Sequence, residues 1–251
     1  MKNLMLVSAV LISLTAIGQT KIKPTQSLEQ ITVKGHWGNI DLKGVDATWL
    51  SIEAIHSGQD NESERISEER LSEYVSIIDQ GKELLIETRI PQGFESVDLK
   101  IELPQVIFAK VILLKGGEVS VENLRSGLEI QQLNGSVKAA DIGQFALISA
   151  ANGSVDISFK SMNEQLPTSL VTMNGGITVT MPAKSKRDVR LVSQKNGYVL
   201  SDFDVSNSDK VDGWNKAQYS KQPISLSGTI NGGGELLFLS TQNGPLILRK
   251  R

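Results

Sequence analysis

A constant interval between glycine turns constrains this chain more than any other feature of its sequence. The segments GGEVSV, NGSVKA and NGSVDI place Gly117, Gly135 and Gly153 at intervals of 18 residues, and NGGITV and NGYVLS follow at intervals of 22. A fixed interval of this size is typical of a chain that repeats one structural unit. The repeat predicts a stack of similar coils.

Aliphatic residues recur at fixed distances from each turn glycine. The frame is set by seven glycines: Gly38, Gly117, Gly135, Gly153, Gly175, Gly197 and Gly244. Two residues later the chain has Ile40, Val119, Val137, Val155, Ile177, Val199 and Leu246; four residues later it has Leu42, Val121, Ala139, Ile157, Val179, Ser201 and Leu248. Five residues earlier it has Val33, Ile112, Ile130, Ile148, Leu170, Val192 and Leu239. Because side chains alternate between the faces of a strand, the two later columns share one face, which we expect to be interior.

The pattern predicts an all-β chain in which parallel strands of successive coils stack as a β-solenoid. A coil of 18 to 22 residues has room for three strands of about five residues and three turns. The alternative is an antiparallel β-meander or sandwich, because Asn-Gly is also the strongest signal for a two-residue hairpin. The constant spacing favours the solenoid.

Asparagine precedes the turn glycine in most repeats. We predict that these pairs form corners, since Asn and Gly tolerate a positive φ, and that stacked Asn amides hydrogen-bond along the axis. The predicted structural turns are Asn134, Gly135, Asn152, Gly153, Asn174, Gly175, Asn196 and Gly197.

The chain divides into three predicted parts. Residues 1–18 are predicted to be a signal peptide, because Lys2 precedes a short apolar run that ends near small residues. Residues 19–106 form an N-terminal β region that leads into the solenoid, with a polar excursion after His56 and a hairpin around Gly81. Residues 107–251 form the repeat-bearing solenoid, interrupted at residues 202–223 by a loop insertion in which aromatic residues are concentrated.

Composition excludes several classes of protein. The chain has no cysteine, so a disulfide framework, a thiolate metal site and a lipid-bearing cysteine are all excluded. A formal net charge of −2 offers no basic surface for nucleic acid. After the signal peptide no apolar run is long enough to cross a membrane as a helix, so no transmembrane segment is expected in the mature chain.

The order of these segments resembles the bacterial "putative adhesin" domains, a family of unknown function. The resemblance rests on VKGHWGNIDLKG, GKELLIETRIPQG, VDLKIELP and GGEVSVENLRSGLEIQQLNGSVKAADI, followed by the later NG turns. It covers nearly all of the mature chain and departs from the family at residues 202–223. It implies a right-handed β-solenoid, an envelope or surface location and no established enzymatic activity.

Catalytic signals are absent from the sequence. The two histidines, His36 and His56, have no metal-ligand spacing, and no nucleophile-elbow motif occurs. A solenoid polysaccharide lyase or glycosidase is the enzyme alternative, but it needs clustered carboxylates, and the outward column three residues after the turn glycines has Lys138 between its acids Asp41 and Asp156. We therefore predict no catalytic residue, cofactor or metal.

Trp214 and Tyr219 in the insertion are the candidate contact surface, because exposed aromatic side chains stack on sugars or fill partner pockets. The alternative is that they cover the open end of the solenoid. We predict an exported, non-enzymatic protein of the periplasm, cell surface or extracellular space. It would act as an adhesin-like binding or structural module for an envelope or surface polymer or protein, or alternatively as an envelope regulatory scaffold or sensor with a protein partner.

Overall fold

The computed structural model describes residues 11–13, 20–23, 27–57, 63–89, 96–210 and 218–251. Within them the chain forms 23 strands and one helix, α1 (Glu68–Tyr74). The strands before residue 117 are β1 (Leu11–Ser13), β2 (Thr20–Lys23), β3 (Gln30–Trp37), β4 (Ile40–Val45), β5 (Leu50–Ser57), β6 (Ser63–Arg65), β7 (Val75–Asp79), β8 (Glu83–Thr88), β9 (Ser96–Pro104) and β10 (Phe108–Gly116). The strands after it are β11 (Val119–Glu122), β12 (Leu128–Asn134), β13 (Val137–Ile142), β14 (Ala146–Asn152), β15 (Val155–Phe159), β16 (Thr168–Asn174), β17 (Ile177–Met181), β18 (Arg187–Lys195), β19 (Val199–Ser201), β20 (Ser206–Lys210), β21 (Ile224–Ile230), β22 (Leu236–Asn243) and β23 (Leu246–Lys250).

The strands form two mixed sheets with many parallel pairs, so the all-β prediction is confirmed. The first sheet runs in the order β1-β2-β5-β9-β4-β11-β13-β15-β17-β23-β19, with β6 beside β5. The second runs in the order β20-β21-β18-β22-β16-β14-β12-β10-β3-β8-β7. Antiparallel pairs, such as β5 with β9 and β18 with β21, lie towards the ends of both sheets.

Each glycine turn carries the chain from the second sheet to the first. The two strands that flank a turn therefore do not pair with each other, and the antiparallel meander is wrong for the repeats. Strands of successive repeats pair in parallel instead: Val137 lies between Val119 and Val155, each 18 residues away.

The aliphatic columns lie inside, as predicted. In the column two residues after the turn glycine every side chain is at most 1% exposed, and in the column four residues after it even Ser201 is buried. In the column five residues before the glycine, Ile112 and Val192 are exceptions to this prediction, because they are half-buried and point outward. Their neighbours Val111 and Leu191 take the interior places, because each of these strands has one extra residue before its turn.

Each repeat has two strands, so the expectation of three is wrong. Between β11 and β12 the chain makes a second corner in place of a strand. Asn123 is left-handed there, with φ 57°; Leu124 is buried; and Ser126 Oγ donates to the carbonyl of Ile107 at 2.5 Å. Asp141 repeats the left-handed conformation, with φ 55°, at the equivalent corner of the next repeat.

The repeats are not arranged in chain order. The C-terminal strands β22 and β23 lie between the strands of the two preceding repeats: β22 pairs with β16 and β18, and β23 pairs with β17 and β19. The N-terminal pair β3 and β4 is placed in the same way, between β8 or β9 on one side and β10 or β11 on the other.

In the N-terminal region, β7 and β8 form the predicted hairpin around Gly81. The polar excursion contains β6 and α1, which is longer than one helical turn. The predicted signal peptide lies outside the described residues except for Leu11–Ser13, whose backbone pairs with β2. In the insertion, β20 adds to the edge of the second sheet beside β21.

Candidate binding face

Six of the eight predicted turn residues form a continuous corner across the paired repeats, and Asn243 extends it. Asn152 Nδ2 donates to Asn134 Oδ1 at 2.9 Å, Asn174 Nδ2 donates to Asn152 Oδ1 at 2.7 Å, and the ladder ends where Asn243 Nδ2 donates to Asn174 Oδ1 at 2.9 Å. The predicted amide ladder is confirmed for these residues.

Asn196 and Gly197 depart from this corner. Lys195, and not Asn196, pairs with Asn243, because β18 has one extra residue before the turn. Asn196 itself is left-handed, with φ 49°, and so takes the role that glycine has in the other turns. The amide ladder therefore does not extend to this coil.

Buried polar side chains secure the turns from inside, which sequence reasoning missed. Thr172 Oγ1 donates to the carbonyl of Gly153 at 3.1 Å, and Thr241 Oγ1 donates to that of Gly175 at 2.8 Å. Gln132 and Ser193 make the equivalent bonds to Gly117 and Gly244. A polar residue three or four positions before four of the turn glycines, Gly135, Gly175, Gly197 and Gly244, is the signal that could have revealed this column.

The predicted contact surface is only partly described. Trp214 lies outside the described residues. Tyr219 is 64% exposed and packs edge-to-face on Tyr198, with the ring centroids 5.1 Å apart. The bridge between Gly197 and Ser220 holds this segment against the turn that leads into β19, the outermost strand of the first sheet. Tyr219 therefore lies at one end of the stack.

The acidic residues of the outward column three residues after the turn glycines are dispersed on the first sheet. Asp41 and Asp156 are separated by the strands that carry Ser120 and Lys138, and in the described part of the chain no three acidic or histidine side chains are placed to hold a metal ion. His56 lies against the ring of Tyr74, with the centroids 4.9 Å apart. In the row of outward residues that contains Asp41, Ser120, Lys138 and Asp156, no two carboxylates lie on adjacent strands.

A small pocket of about 190 Å³ on the first sheet is lined by charged residues, including Asp41, Glu53 and Lys100. Burial raises the pKa of Asp41 above its ordinary value, and Lys100 opposes that effect. Glu53 is buried, and its Oε1 forms an ion pair with Nη2 of Arg65 at 2.6 Å. The outer face of the first sheet is thus charged.

The outer face of the second sheet is different, because three of its adjacent strands, β14, β16 and β22, expose no charged residue. We call the outward positions of β14, β16 and β22 the neutral face; they are Leu147, Ser149, Ala151, Ser169, Val171, Met173, Phe238, Ser240 and Gln242. On the three strands of the first sheet that follow them in the chain, β15, β17 and β23, the outward residues include Asp156 and Arg249. These three strands therefore expose less charge than the strands that follow them in the chain, although β12 and β18 beside them carry Glu129, Asp188 and Arg190 on the same outer face.

Three shallow depressions join across the neutral face and the strands beside it, and Glu129 on β12 lines one of them. They have volumes of about 390, 280 and 450 Å³, and Ser149 lines all three. Together they extend from Leu114 on β10 to Gln194 on β18. They form one elongated surface that runs across the strands.

The polar groups of the neutral face are available to a ligand. Ser149, Ser240 and Gln242 are at least partly exposed, and no hydrogen bond joins their side chains to another described residue. The charged residues at its borders are engaged: Lys110 Nζ pairs with Glu129 Oε1 at 2.9 Å, and the Arg190 guanidinium lies 5.9 Å from the ring centre of Phe238. Large apolar side chains are exposed beside them, with Met173 51% and Leu133 47% accessible.

Comparisons with known proteins add no family to this description. No protein-family model and no curated protein matches the chain. Among solved structures, a "putative cell adhesion protein" from Clostridium sporogenes is 13% identical with a TM-score of 0.48, covering 93% of this chain and 98% of its own. A "putative adhesin" from Bacteroides fragilis is 12% identical with a TM-score of 0.45, covering 92% and 95%. These values are too low to transfer a fold or a function. In the described residues no helix is long and apolar enough to cross a membrane.

Proposed function

We propose that this chain is an exported, non-enzymatic, right-handed β-solenoid of the bacterial cell envelope that binds a surface partner through the neutral face. The observation that carries the proposal is the absence of charge from three adjacent strands in a chain with 22% charged residues. A face that exposes Leu147, Met173 and Phe238 beside free hydroxyl and amide groups suits contact with another molecule.

The rigidity of the repeats supports a binding role. The strands of the neutral face are paired on both sides and rest on a buried aliphatic core, so their outward side chains have fixed spacing. Binding to a preformed surface loses little free energy to reorganisation of the protein.

The experiment compares retention of purified protein by envelope fractions of the producing cells. Val171→Glu places a charge at the centre of the neutral face, and Thr178→Glu places the same charge on β17, on the outer face of the first sheet. We expect Val171→Glu to abolish retention and Thr178→Glu to preserve it, with both variants folded by circular dichroism. Equal retention of the two variants would refute the neutral face as the binding surface.

The non-enzymatic part of the proposal has a separate test. Purified protein is incubated with envelope polysaccharides, and the release of reducing ends or unsaturated sugars is measured. We expect none. Depolymerisation that disappears in Asp41→Asn or Asp156→Asn would contradict the proposal and favour a solenoid lyase or glycosidase.

A regulatory scaffold with a dedicated protein partner is the second candidate. The exposed apolar residues Leu114, Leu133 and Met173 favour it, since such side chains are common at protein contacts. Crosslinked pulldown from intact cells distinguishes the two functions: one protein recovered in stoichiometric amount supports the scaffold, and retention that depends on glycans supports the adhesin.

A further inference from the structure

We infer that the ligand of the neutral face is an extended, uncharged polysaccharide that lies along the stack and crosses the strands. This inference rests on the proposed binding function and names the chemical class of its ligand.

The spacing of side chains supports a polymer in this direction. Ser149, Val171 and Ser240 lie side by side on adjacent parallel strands, with Gln131 and Val192 on either side of them. Neighbouring strands are about 4.8 Å apart, which is similar to the length of one β-linked sugar residue in an extended chain. Each successive sugar would therefore meet an equivalent position on the next strand.

The chemistry of this surface suits a neutral glycan. Hydroxyl and amide groups of Ser149, Ser240 and Gln242 can exchange hydrogen bonds with sugar hydroxyls. Leu147, Val171 and Phe238 offer apolar surface to the C–H faces of the rings. Because β14, β16 and β22 have no charged side chain, binding there would not incur the free-energy cost of removing water from a charged group.

An acidic polymer fits this surface poorly. It would need cations along its path, and the nearest ones stand at the borders, where Lys110 is paired with Glu129 and Arg190 lies over Phe238. Asp188 on β18 adds a negative charge beside Arg190. An anionic chain across the centre would meet no counter-charge.

A protein partner is also a poorer fit. The interior strands have both backbone edges paired, so no extended peptide can add to them as a further strand. The neutral face and the two strands beside it, β12 and β18, together span four strand intervals of about 4.8 Å, and their three outward rows cover roughly 13 Å along each strand. The resulting few hundred Å² are well below the roughly 800 Å² that each partner buries in a standard protein interface.

The test is binding of the full mature protein to an array of linear uncharged and anionic glycans, followed by calorimetric titration with oligomers of the best uncharged glycan. We expect affinity to rise with length to about five sugars, the number that four strand intervals accommodate, and then to level off. Val171→Glu should weaken binding by about tenfold or more, while Thr178→Glu should leave it unchanged. Gln242→Leu, which adds no charge, should weaken it as well. Because no ion pair is involved, raising the salt concentration should have little effect.

Failure of this inference is distinguishable from failure of the proposed function. If envelope retention requires Val171 but no uncharged glycan binds, or if retention survives periodate treatment and is lost after protease treatment of the envelope, the face binds a protein and the glycan inference is overturned. Stronger binding of anionic than of uncharged glycans overturns it too. If retention is unaffected by Val171→Glu, the proposed function of the face falls with it.

Discussion

Gly153 shows how closely the turns of neighbouring coils approach each other. Its φ is 145°, a left-handed conformation that favours glycine, and a Cβ on this residue would overlap the carbonyl oxygen of Gly135 in the neighbouring coil. Gly232 has a similar conformation, with φ 92°, but nothing lies within 4 Å of the position of its Cβ. A side chain at Gly153 would therefore meet both backbone strain and steric overlap, whereas a side chain at Gly232 would meet backbone strain alone.

Replacing both glycines by alanine tests this difference. We expect Gly153→Ala to lower the free energy of unfolding by at least about 3 kcal/mol, because strain and overlap add, and Gly232→Ala to lower it by only about 1 kcal/mol, from strain alone. Urea unfolding followed by circular dichroism measures both. Equal losses would mean that the coils can separate to admit a methyl group.

Asp41 gives a pH dependence whose sign follows from its surroundings. Burial, and then the carboxylates of Asp98, Glu122 and Glu118, raise its pKa despite the attraction of Lys100. The folded protein therefore binds this proton more tightly than the unfolded chain, and stability is lost as the pH rises from the unfolded pKa through the raised folded value. We expect Asp41→Asn to gain stability relative to the original protein between pH 3 and pH 7. A stability difference that is independent of pH, measured by urea unfolding at both values, would contradict this assignment.

At the scale of the element, Arg187 connects a strand to the loop between two repeats. It is fully buried at the start of β18, and it donates to the carbonyl of Asn163 at 2.6 Å and to that of Leu166 at 2.9 Å. Burial lowers the pKa of its guanidinium, which Glu164 and Glu235 partly oppose. Its neighbours Lys184 and Lys186 are exposed, so the basic residues after Pro182 divide between solvent and the interior.

Arg187→Lys tests whether the two-carbonyl contact matters. A lysine keeps the charge but lacks the planar fork that reaches both carbonyls, so we expect a loss of about 2 kcal/mol or more in the free energy of unfolding. Lys186→Ala, at the exposed neighbouring position, is the control and should change it by less than about 0.5 kcal/mol. Thermal unfolding of the two variants provides the comparison, and similar behaviour would show that the loop does not depend on Arg187.

Periodicity predicted the strands but not every register. The interior columns could be recognised because alternation in a strand forces aliphatic residues onto one face, as at Val119, Val137 and Val155. One extra residue before a turn shifted the frame at Val192 and displaced Asn196 from the amide ladder, and an insertion of that kind leaves the local pattern intact. The corner at Asn123 replaces the third strand that we expected, because an interval of 18 residues does not by itself fix the number of strands.

The neutral face was also missed at this scale. Its residues alternate with the core residues that we used to find the strands, as Ser149 does with Ile148 and Ala150. Their common property, a lack of charge, becomes meaningful only when β14, β16 and β22 are known to be neighbours, and β22 is distant in the chain. Trp214 and Tyr219 were predicted as the contact surface only because their side chains are aromatic.

At the scale of the whole molecule, the order of the coils is the feature that sequence could least predict. Every repeat has the same aliphatic columns, so a repeat could occupy any place in the two sheets. The sequence of β22 and β23 therefore does not show that they lie between the strands of earlier repeats. In this arrangement β22 and β23 connect β18 and β19 to the rest of their sheets. Without β22 and β23, β18 and β19 would lose their parallel partners, and only the antiparallel pairing of β18 with β21 would remain.

Truncation tests this connection. Removing residues 236–251 should expose the edges of β16, β17, β18 and β19, and we expect the single cooperative unfolding transition to be lost and hydrogen exchange at residues 187–201 to accelerate. Removing only Arg251, whose side chain pairs with Asp141 at the surface, should preserve cooperative unfolding. Unchanged protection at residues 187–201 after the longer truncation would contradict the stacking order.

On the proposed function, the molecule binds its partner through the outer face of its second sheet and not through that of its first sheet. Photo-crosslinking in intact cells tests it directly, with a benzophenone side chain placed at Ser149 on β14 or at Thr178 on β17, both outward-facing. We predict that illumination yields a heavier adduct from the Ser149 variant and none from the Thr178 variant. An adduct from Thr178 alone, or equal adducts from both positions, would contradict the account.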